Sequence, residues 1–441
     1  MPNSAILLIM TLLFLALGYL GVPVAFSLMA GVIVGTMLTP ISLQSIVGQA
    51  FNGVDSEALM AIPFFLLVGE LMTSANVIIR IAELSQALVG HMRGGLAQVT
   101  TVFSMFFSGM SGSSSADVAV LSRTMARPMA KEGYLPAFVA ALIAAASTIA
   151  NLVPPSIMAV VYGAVGNVSI AGLFLAGILP GVMVGVGLML FCYFFGPVGF
   201  RRPRSSFRNL VGAARAAALP ALIPVILLGG IMTGWFTPTE AGVVAVAYIL
   251  IVVIPALNPR HLSLVWRDFV QAGLIYSLPL ITIAAASAFG WLLAYLRGPI
   301  VVSAWIGDVS GGDPRAVMFL LVAVFTIVGD FIEPIPAIII FMPVVNQLAD
   351  QASINNVHMG IVLIITLAFG LITPPYGLSL LMASKFVGVR FSAALRASLP
   401  FFATIAFAIF FPNAVLWLPK TLFPESVGCF KAPDGASYIC P

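Results

Sequence analysis

Apolar stretches dominate the chain, and their lengths and interruptions set the architecture. Residues 4–38 are apolar but broken by Gly21-Val22-Pro23, which predicts two spans joined by a tight turn. Residues 40–58 are polar, with Asp55 and Glu57 but no Lys or Arg. Residues 60–77 predict a third span with Glu70 near its end, and residues 78–94, with Arg80, His91 and Arg93, read as cytoplasmic. Residues 95–110 then form a short apolar limb, Gly109-Met-Ser-Gly-Ser-Ser-Ser115 a polar tip, and a second limb runs to about residue 130, ending with Arg123, Arg127 and Lys131. Each limb falls short of the roughly 20 residues a span needs. Both limbs begin and end near basic residues. The pattern predicts a re-entrant hairpin over 95–131 that opens to the cytoplasm. Irregular backbone at such a tip persists at membrane depth only when packed in protein or lining a wet cavity.

Residues 135–166 predict a span interrupted at Asn151-Leu-Val-Pro-Pro155, where two prolines remove two amide donors. A span over 171–198 leads to the most basic loop, with Arg201, Arg202, Arg204, Arg208 and Arg215. The plan then recurs. Apolar residues 217–233 and 238–256 flank Gly234-Trp-Phe-Thr-Pro-Thr-Glu240, and a basic loop holds Arg260, His261 and Arg267. Residues 277–296 span, and 315–350 form two short limbs around Asp330-Phe-Ile-Glu-Pro-Ile-Pro336. Residues 358–387 are interrupted at Gly370-Leu-Ile-Thr-Pro-Pro375, and 397–418 form the last span.

The recurrence has a register. Pro154-Pro155 and Pro374-Pro375 lie 220 residues apart, as do Leu179-Pro180 and Leu399-Pro400, and the same offset lays tip 111–116 on tip 331–336. Further upstream, Pro23 matches Pro238 and Pro63 matches Pro279 at slightly smaller offsets. Five crossings in the first half, an odd number, place the second half upside down relative to it. The ends of the second hairpin, near Asp313 and Asp350, are poor in Lys and Arg, as an outward-opening hairpin requires, while Lys385, Arg390 and Arg396 return to the cytoplasmic side. The expected fold class is therefore an all-α polytopic membrane protein, an inverted repeat of two five-span halves. Its expected parts are a first repeat (1–200), a basic connector (201–216), a second repeat (217–418) and an outer tail (419–441).

Composition agrees. Of 441 residues 61% are hydrophobic and 8% charged, against roughly 25% charged in a soluble domain. Mean hydropathy is +1.13. So little charge cannot cover a soluble surface, which excludes a soluble enzyme, a nucleic-acid binder and a disordered chain. The net charge of +4 reports loop orientation more than an anionic partner. The N-terminal MPNSAILLIM lacks a basic n-region and a small-residue cleavage site, and reads as the first span. Cys192 falls in an apolar run. Cys429 and Cys440 follow the last span on the outer, oxidising side, where a disulfide and two free thiols both fit.

Inverted repeats with helices broken at corresponding places are the pattern of secondary transporters. A break exposes carbonyls that can coordinate a dehydrated cation, and amides at a half-helix N-terminus that can hold a carboxylate. Ser111, Ser113, Ser114 and Ser115 at the first tip offer hydroxyls and carbonyls to either, or simply permit tight packing. Glu333 and Asp330 at the second tip are acids at membrane depth, functional candidates by default. Asp117 is placed to cap the second limb's free amides, and Glu70 and Glu240, near span ends, to make structural hydrogen bonds. No Lys or Arg lies at a tip or a break, and no Walker motif is present. Gly109-Met-Ser111-Gly112 fits the G-x-S-G nucleophile pattern of an intramembrane serine protease. That chemistry needs a histidine base at the same depth, and His91, His261 and His358 all fall in loops or at a limb end. A passive channel needs neither hairpins nor antisymmetry.

Six segments, in order, carry a resemblance: Pro63-Phe-Phe-Leu-Leu-Val-Gly-Glu70-Leu-Met, Ser111-Gly-Ser-Ser-Ser-Ala-Asp117, Leu152-Val-Pro-Pro-Ser156, Thr237-Pro-Thr-Glu-Ala241, Glu333-Pro-Ile-Pro-Ala337 and Gly370-Leu-Ile-Thr-Pro-Pro375. Over residues 10–418 the chain resembles the large membrane subunit of tripartite ATP-independent periplasmic (TRAP) transporters. The resemblance implies a sodium-coupled importer of small organic acids (a dicarboxylate, sialic acid or similar carboxylate) in a bacterial inner membrane. It implies a small four-helix membrane subunit and a periplasmic substrate-binding protein as partners, Na+ as coupling ion and no organic cofactor. It also implies a scaffold and a hairpin-bearing transport domain that moves as an elevator. Substrate contacts are then expected from Ser111, Ser113, Ser114, Ser156, Glu333 and Thr373, and sodium near Ser114, Ser115, Asn151, Asp330, Glu333, Gly370 and Thr373.

Overall fold

The computed structural model describes residues 2–195, 203–311, 313–373, 377–389, 407, 410–431 and 438–439. Pro374-Pro375, Leu399-Pro400, Arg201, Arg202, Arg390, Arg396, Cys440 and most of the span expected over 397–418 lie outside the described residues. Within them the chain is helical, apart from one antiparallel pair of two-residue strands, Phe430–Lys431 with Tyr438–Ile439. Four helices are long and apolar enough to cross a membrane: Ile170–Phe194, Phe207–Met232, Pro238–Leu257 and Pro259–Tyr295. Large apolar side chains such as Leu12, Phe26, Trp266 and Ile281 are exposed, the reverse of a soluble surface and what a lipid-facing one requires. The protein is a polytopic membrane protein.

Both expected hairpins form paired limbs. The first has Gly95–Ser111, a turn at Gly112 and Ser113, and a second limb from Ser114 to Lys131 that passes through a π-helical turn at Ser122–Ala126. The second has Pro314–Phe331, two extended residues, then Pro334–Gln351. Both predicted breaks are present. Pro136–Ser147 tightens into a 3-10 turn over Thr148–Asn151 before Ile157–Gly166 begins, and Asn356–Gly370 ends before Leu378–Val387.

Several polar stretches are nevertheless helical. Leu43–Asn52 and Ile78–Val89 are amphipathic helices where loops were expected. The second makes a 76° bend with Ala61–Ser74. Gly298–Ser310 was not anticipated; it starts 220 residues after Ile78, the offset at which the doubled prolines recur in the sequence. The expected basic loop at 260–267 and span at 277–296 are instead a 3-10 turn (Pro259–Leu264) and one continuous helix, Val265–Tyr295, which absorbs Arg267 and Pro279. The basic connector likewise turns helical from Phe207, with Ser206 capping Asn209 N–H.

Packing links two sets of elements, which meet where Val265–Tyr295 lies along the second-hairpin limb Pro334–Gln351. Val265–Tyr295 lies against Val24–Met37, Leu43–Asn52 and Ala61–Ser74. The hairpins and broken helices interlock crosswise. Leu378–Val387 packs on Pro136–Ser147 and Ser114–Leu121, while Ile157–Gly166 packs on Pro334–Gln351. At the bend after Ser74, Asn258 donates to Ala75 O at 3.1 Å. His261 Nε2 meets Ser74 Oγ at 3.1 Å and Asp268 Oδ2 at 2.5 Å, with His261 and Asp268 both buried. These contacts pin the elbow of one half to the turn of the other.

Candidate functional site

The two tips and the two breaks meet around one cavity of about 270 Å³. Its wall includes Gly112, Ser113, Ser114 and Ser115 from the first tip, Asn151 and Ile157 from the first break, Glu333 and Pro334 from the second tip, and Leu371 and Leu378 from the second break. Leu278, Pro279 and Thr282 of the long helix and Ile62 and Leu66 of the third span close it from the other side. A neighbouring cavity of about 450 Å³ shares Leu278, Thr282, Glu333, Leu371 and Leu378, and adds Asp330.

Local chemistry explains each break. Ser156 accepts from Ala159 N–H and so starts Ile157–Gly166, while donating to Asn151 O at 2.6 Å across the Pro154-Pro155 interruption. Ile157 N–H, freed by the break, donates to Gly112 O of the hairpin tip at 3.2 Å. Gly112 has φ +61°, and a Cβ there would lie 2.5 Å from Pro155 O, so only glycine allows the tip to dock. At the second break a Cβ on Gly370 would lie 2.9 Å from the backbone of Gly329. Thr373 donates to Asp330 Oδ1 at 2.5 Å, which joins the broken helix to the hairpin.

The structure divides the sequence-predicted residues. Ser113, Ser114, Ser115, Asn151 and Glu333 face the shared cavity, and Asp330 faces its neighbour. Ser111 does not face it: its hydroxyl is buried and donates to Asp117 Oδ1. Ser156 caps its half-helix, Thr373 anchors Asp330, and Gly370 provides backbone contact, so all three stand one layer behind the cavity wall. Asp117 caps no free amides, contrary to expectation. It accepts from two buried hydroxyls, Ser111 and Ser108, the latter at 3.1 Å, because the tip folds back on its own first limb. Glu240 does cap, in a reciprocal box with Thr237, whereas Glu70 makes no hydrogen bond among the described residues. Cys429 is disulfide-bonded.

Two polar features of the wall were not legible in the sequence. The amide nitrogen of Asn151 is buried without a partner. In addition, four helices begin on the cavity, at Ser114, Ile157, Pro334 and Leu378. A helix N-terminus carries a partial positive charge worth typically 0.3–1 kcal/mol toward an anion, up to about 2 when partly buried. Four of them make an anion-attracting wall with no Lys or Arg. Glu333 stands among them, exposed to the cavity and without a hydrogen bond or ion pair among the described residues.

A transporter family accounts for this arrangement. The family described as tripartite ATP-independent periplasmic transporter, DctM component, matches residues 10–418. The chain belongs to this family of large permease subunits. It is 36% identical over 402 residues to the C4-dicarboxylate TRAP transporter large permease protein DctM of Pseudomonas aeruginosa, covering 89% of this chain and 93% of that one. It is 34% identical to the sialic acid TRAP transporter large permease protein SiaM of Vibrio cholerae, covering 92% and 96%. It is 32% identical to the ectoine/5-hydroxyectoine TRAP transporter large permease protein UehC of Ruegeria pomeroyi, covering 92% and 97%. The chain is thus a transporter subunit, not an enzyme. The protease alternative also lacks its geometry, since Ser111 is engaged by Asp117 and His261 by Asp268 and Ser74 through a single ring nitrogen. Membership of a TRAP system implies a periplasmic binding protein and a small membrane subunit as partners, and an inner-membrane location.

Proposed function

We propose that this TRAP permease subunit imports a small organic acid by sodium symport, and that the cavity between the two tips and two breaks is the binding site. The convergence of four helix N-termini on that cavity carries the reading. Pro334 and Pro336 carry no N–H, and the amides of Ile157, Ala159, Ser379 and Leu380 already have acceptors, so the remaining first-turn amides would hold a carboxylate together with side-chain donors. The donor on Asn151 Nδ2 and the hydroxyls of Ser113 and Ser114 add hydrogen bonds of the right polarity. Relatives named for a dicarboxylate and for sialic acid support a carboxylate-bearing substrate.

Sodium needs oxygen ligands, and two sets are at hand. Glu333 with the Ser114 and Ser115 hydroxyls forms one. Asp330 with the Thr373 hydroxyl forms the other. A cation beside Glu333 would neutralise the one charge that otherwise repels an incoming carboxylate, which makes substrate affinity depend on sodium. The interlocked hairpins and broken helices are the natural moving body, and the long helix with its partners the scaffold, in an elevator-type cycle. The chain would act with its small membrane subunit and receive substrate from its periplasmic binding protein.

The test is uptake of radiolabelled succinate and sialic acid into proteoliposomes containing the permease, its small subunit and the binding protein. Uptake should require an inward sodium gradient and be abolished by its collapse. Uptake that is unchanged without sodium would refute the coupling, and flux that runs only downhill would indicate a channel.

A further inference from the structure

A second cavity, with basic side chains on an otherwise largely apolar wall, lies at the far end of the second hairpin, and the transport cycle above makes no use of it. It encloses about 260 Å³, close to the lower end of the roughly 300–1,000 Å³ usual for ligand clefts. Three separate segments build it. The first turn of limb Pro314–Phe331 contributes Arg315 and Met318, the start of helix Asn356–Gly370 contributes His358, and the chain at 412–420 contributes Asn413, Leu416 and Lys420.

Its chemistry is one-sided. Arg, His and Lys line it and no carboxylate does. Neither Arg315 nor Lys420 makes a side-chain hydrogen bond or an ion pair among the described residues. Asp313, the nearest acid in sequence, spends a carboxylate oxygen on the Arg315 backbone N–H at 3.1 Å. The wall is also held in place. Asn355 accepts from the amides of Val357 and His358 and donates to Val427 O at 3.1 Å, tying the C-terminal segment over the hairpin base.

The site is separate from the central cavity. Fifteen residues of helix divide Arg315 from Asp330, about 22 Å at 1.5 Å per residue. The seam between this limb and helix Asn356–Gly370 leaves only about 10 Å³, lined by Leu321, Phe325 and Val362 among others. A guanidinium and an ammonium that converge unpaired on a concave, partly apolar pocket match an oxyanion with a small body attached.

We propose that this cavity is an oxyanion site, which takes the carboxylate or phosphate of a small solute or of an anionic lipid headgroup. The proposal does not rest on the reading of the central cavity. Because Arg315 and Lys420 are exposed, binding weakens as ionic strength rises.

The full chain, co-purified with its small subunit, is placed in phosphatidylcholine nanodiscs. Its Tm is followed while succinate or inorganic phosphate is titrated, or while phosphatidylglycerol replaces part of the lipid. At least one probe should raise Tm, and the double variant Arg315→Gln/Lys420→Gln should need at least tenfold more of it for the same rise. A response to the soluble anions identifies a solute site, and a response to phosphatidylglycerol alone a headgroup site; either upholds the proposal. The baseline Tm of the double variant reports its folding, and a second variant, Lys420→Arg, should retain the response. An identical response in wild type and double variant, or no response to any probe, overturns it.

Discussion

The two hairpin tips lie 220 residues apart in sequence and handle their acids in opposite ways. The first tip turns inward: Asp117, on the second limb, is fully buried and takes hydroxyls from Ser108 and Ser111 of the first limb, while the backbone at Gly112 docks onto the first broken helix. The second tip turns outward: Asp330 reaches the other broken helix through Thr373, and Glu333 stands in the cavity with no partner among the described residues. A buried acid that bonds across the turn of its own hairpin ties the two limbs together. An acid left unpartnered at a polar cavity is available to a cation. On the sodium-symport reading proposed above, the first tip is the preformed half of the site and the second the half that responds to sodium.

The largest effect should follow from removing the charge at the responsive tip. Glu333→Gln keeps the shape and loses the cation ligand, so sodium-driven uptake should fall about a hundredfold, the scale of one charge-assisted contact. Its Tm in detergent should match wild type, because no partner is lost. A variant that retains wild-type uptake would remove Glu333 from the sodium site. The matching change at the rigid tip is Asp117→Ala, which strands the Ser108 and Ser111 hydroxyls in a dry environment. Here the loss should appear as stability, about 2–3 kcal/mol, with reduced membrane abundance and a near-normal KM in the protein that remains. Abundance by immunoblot and uptake per folded transporter separate the two outcomes. If Asp117→Ala folds normally and changes KM, the rigid and responsive roles are misassigned.

The contrast also shows what the sequence could and could not reveal. The hairpins, both breaks and the offset of 220 were legible because helix interruption is written in local residue types: Gly, Ser and paired Pro. So was the absence of Lys and Arg from the tips. The amphipathic helices at Leu43–Asn52 and Ile78–Val89 were not, because a short polar helix lying along other helices looks like a loop to a test of length and hydropathy. The placement of Ser111 behind the cavity wall was hidden for a different reason. Six residues separate it from Asp117, and only the fold-back of the tip shows that its hydroxyl is already used. Glu333 was singled out because an acid at membrane depth needs an explanation, and it lies on the cavity wall. The convergence of four helix starts on one cavity is a property of tertiary packing and leaves no trace in any single segment.

A smaller effect should follow at the joint between second tip and second break. Thr373→Val removes the 2.5 Å donor to Asp330 at constant volume. Uptake should fall about tenfold, as expected for one hydrogen bond to a charged group, and Thr373→Ser should restore most of it. If valine is tolerated, the Asp330 contact is dispensable and this tip's link to its broken helix rests on packing along the helix, including the Gly329–Gly370 backbone approach.

The smallest effects lie within the serine cluster, and they discriminate most finely. Ser111 and Ser115 are four residues apart in one motif, and composition treats them alike. Ser111 is buried against Asp117, whereas Ser115 is exposed at the cavity and bonds only to Ser113, at 3.1 Å. Ser111→Ala should therefore lower stability by about 1 kcal/mol and leave the sodium dependence of uptake in place. Asp117 still holds Ser108 in that variant. Ser115→Ala should leave Tm in place and raise the sodium concentration for half-maximal uptake about threefold, the weight of one neutral oxygen ligand among several. Sodium titrations of uptake beside thermal melts of the same preparations read both quantities. The reverse pattern, with Ser111→Ala shifting sodium dependence and Ser115→Ala silent, would mean that the Ser111–Asp117 contact opens during the cycle and that the first tip responds as well.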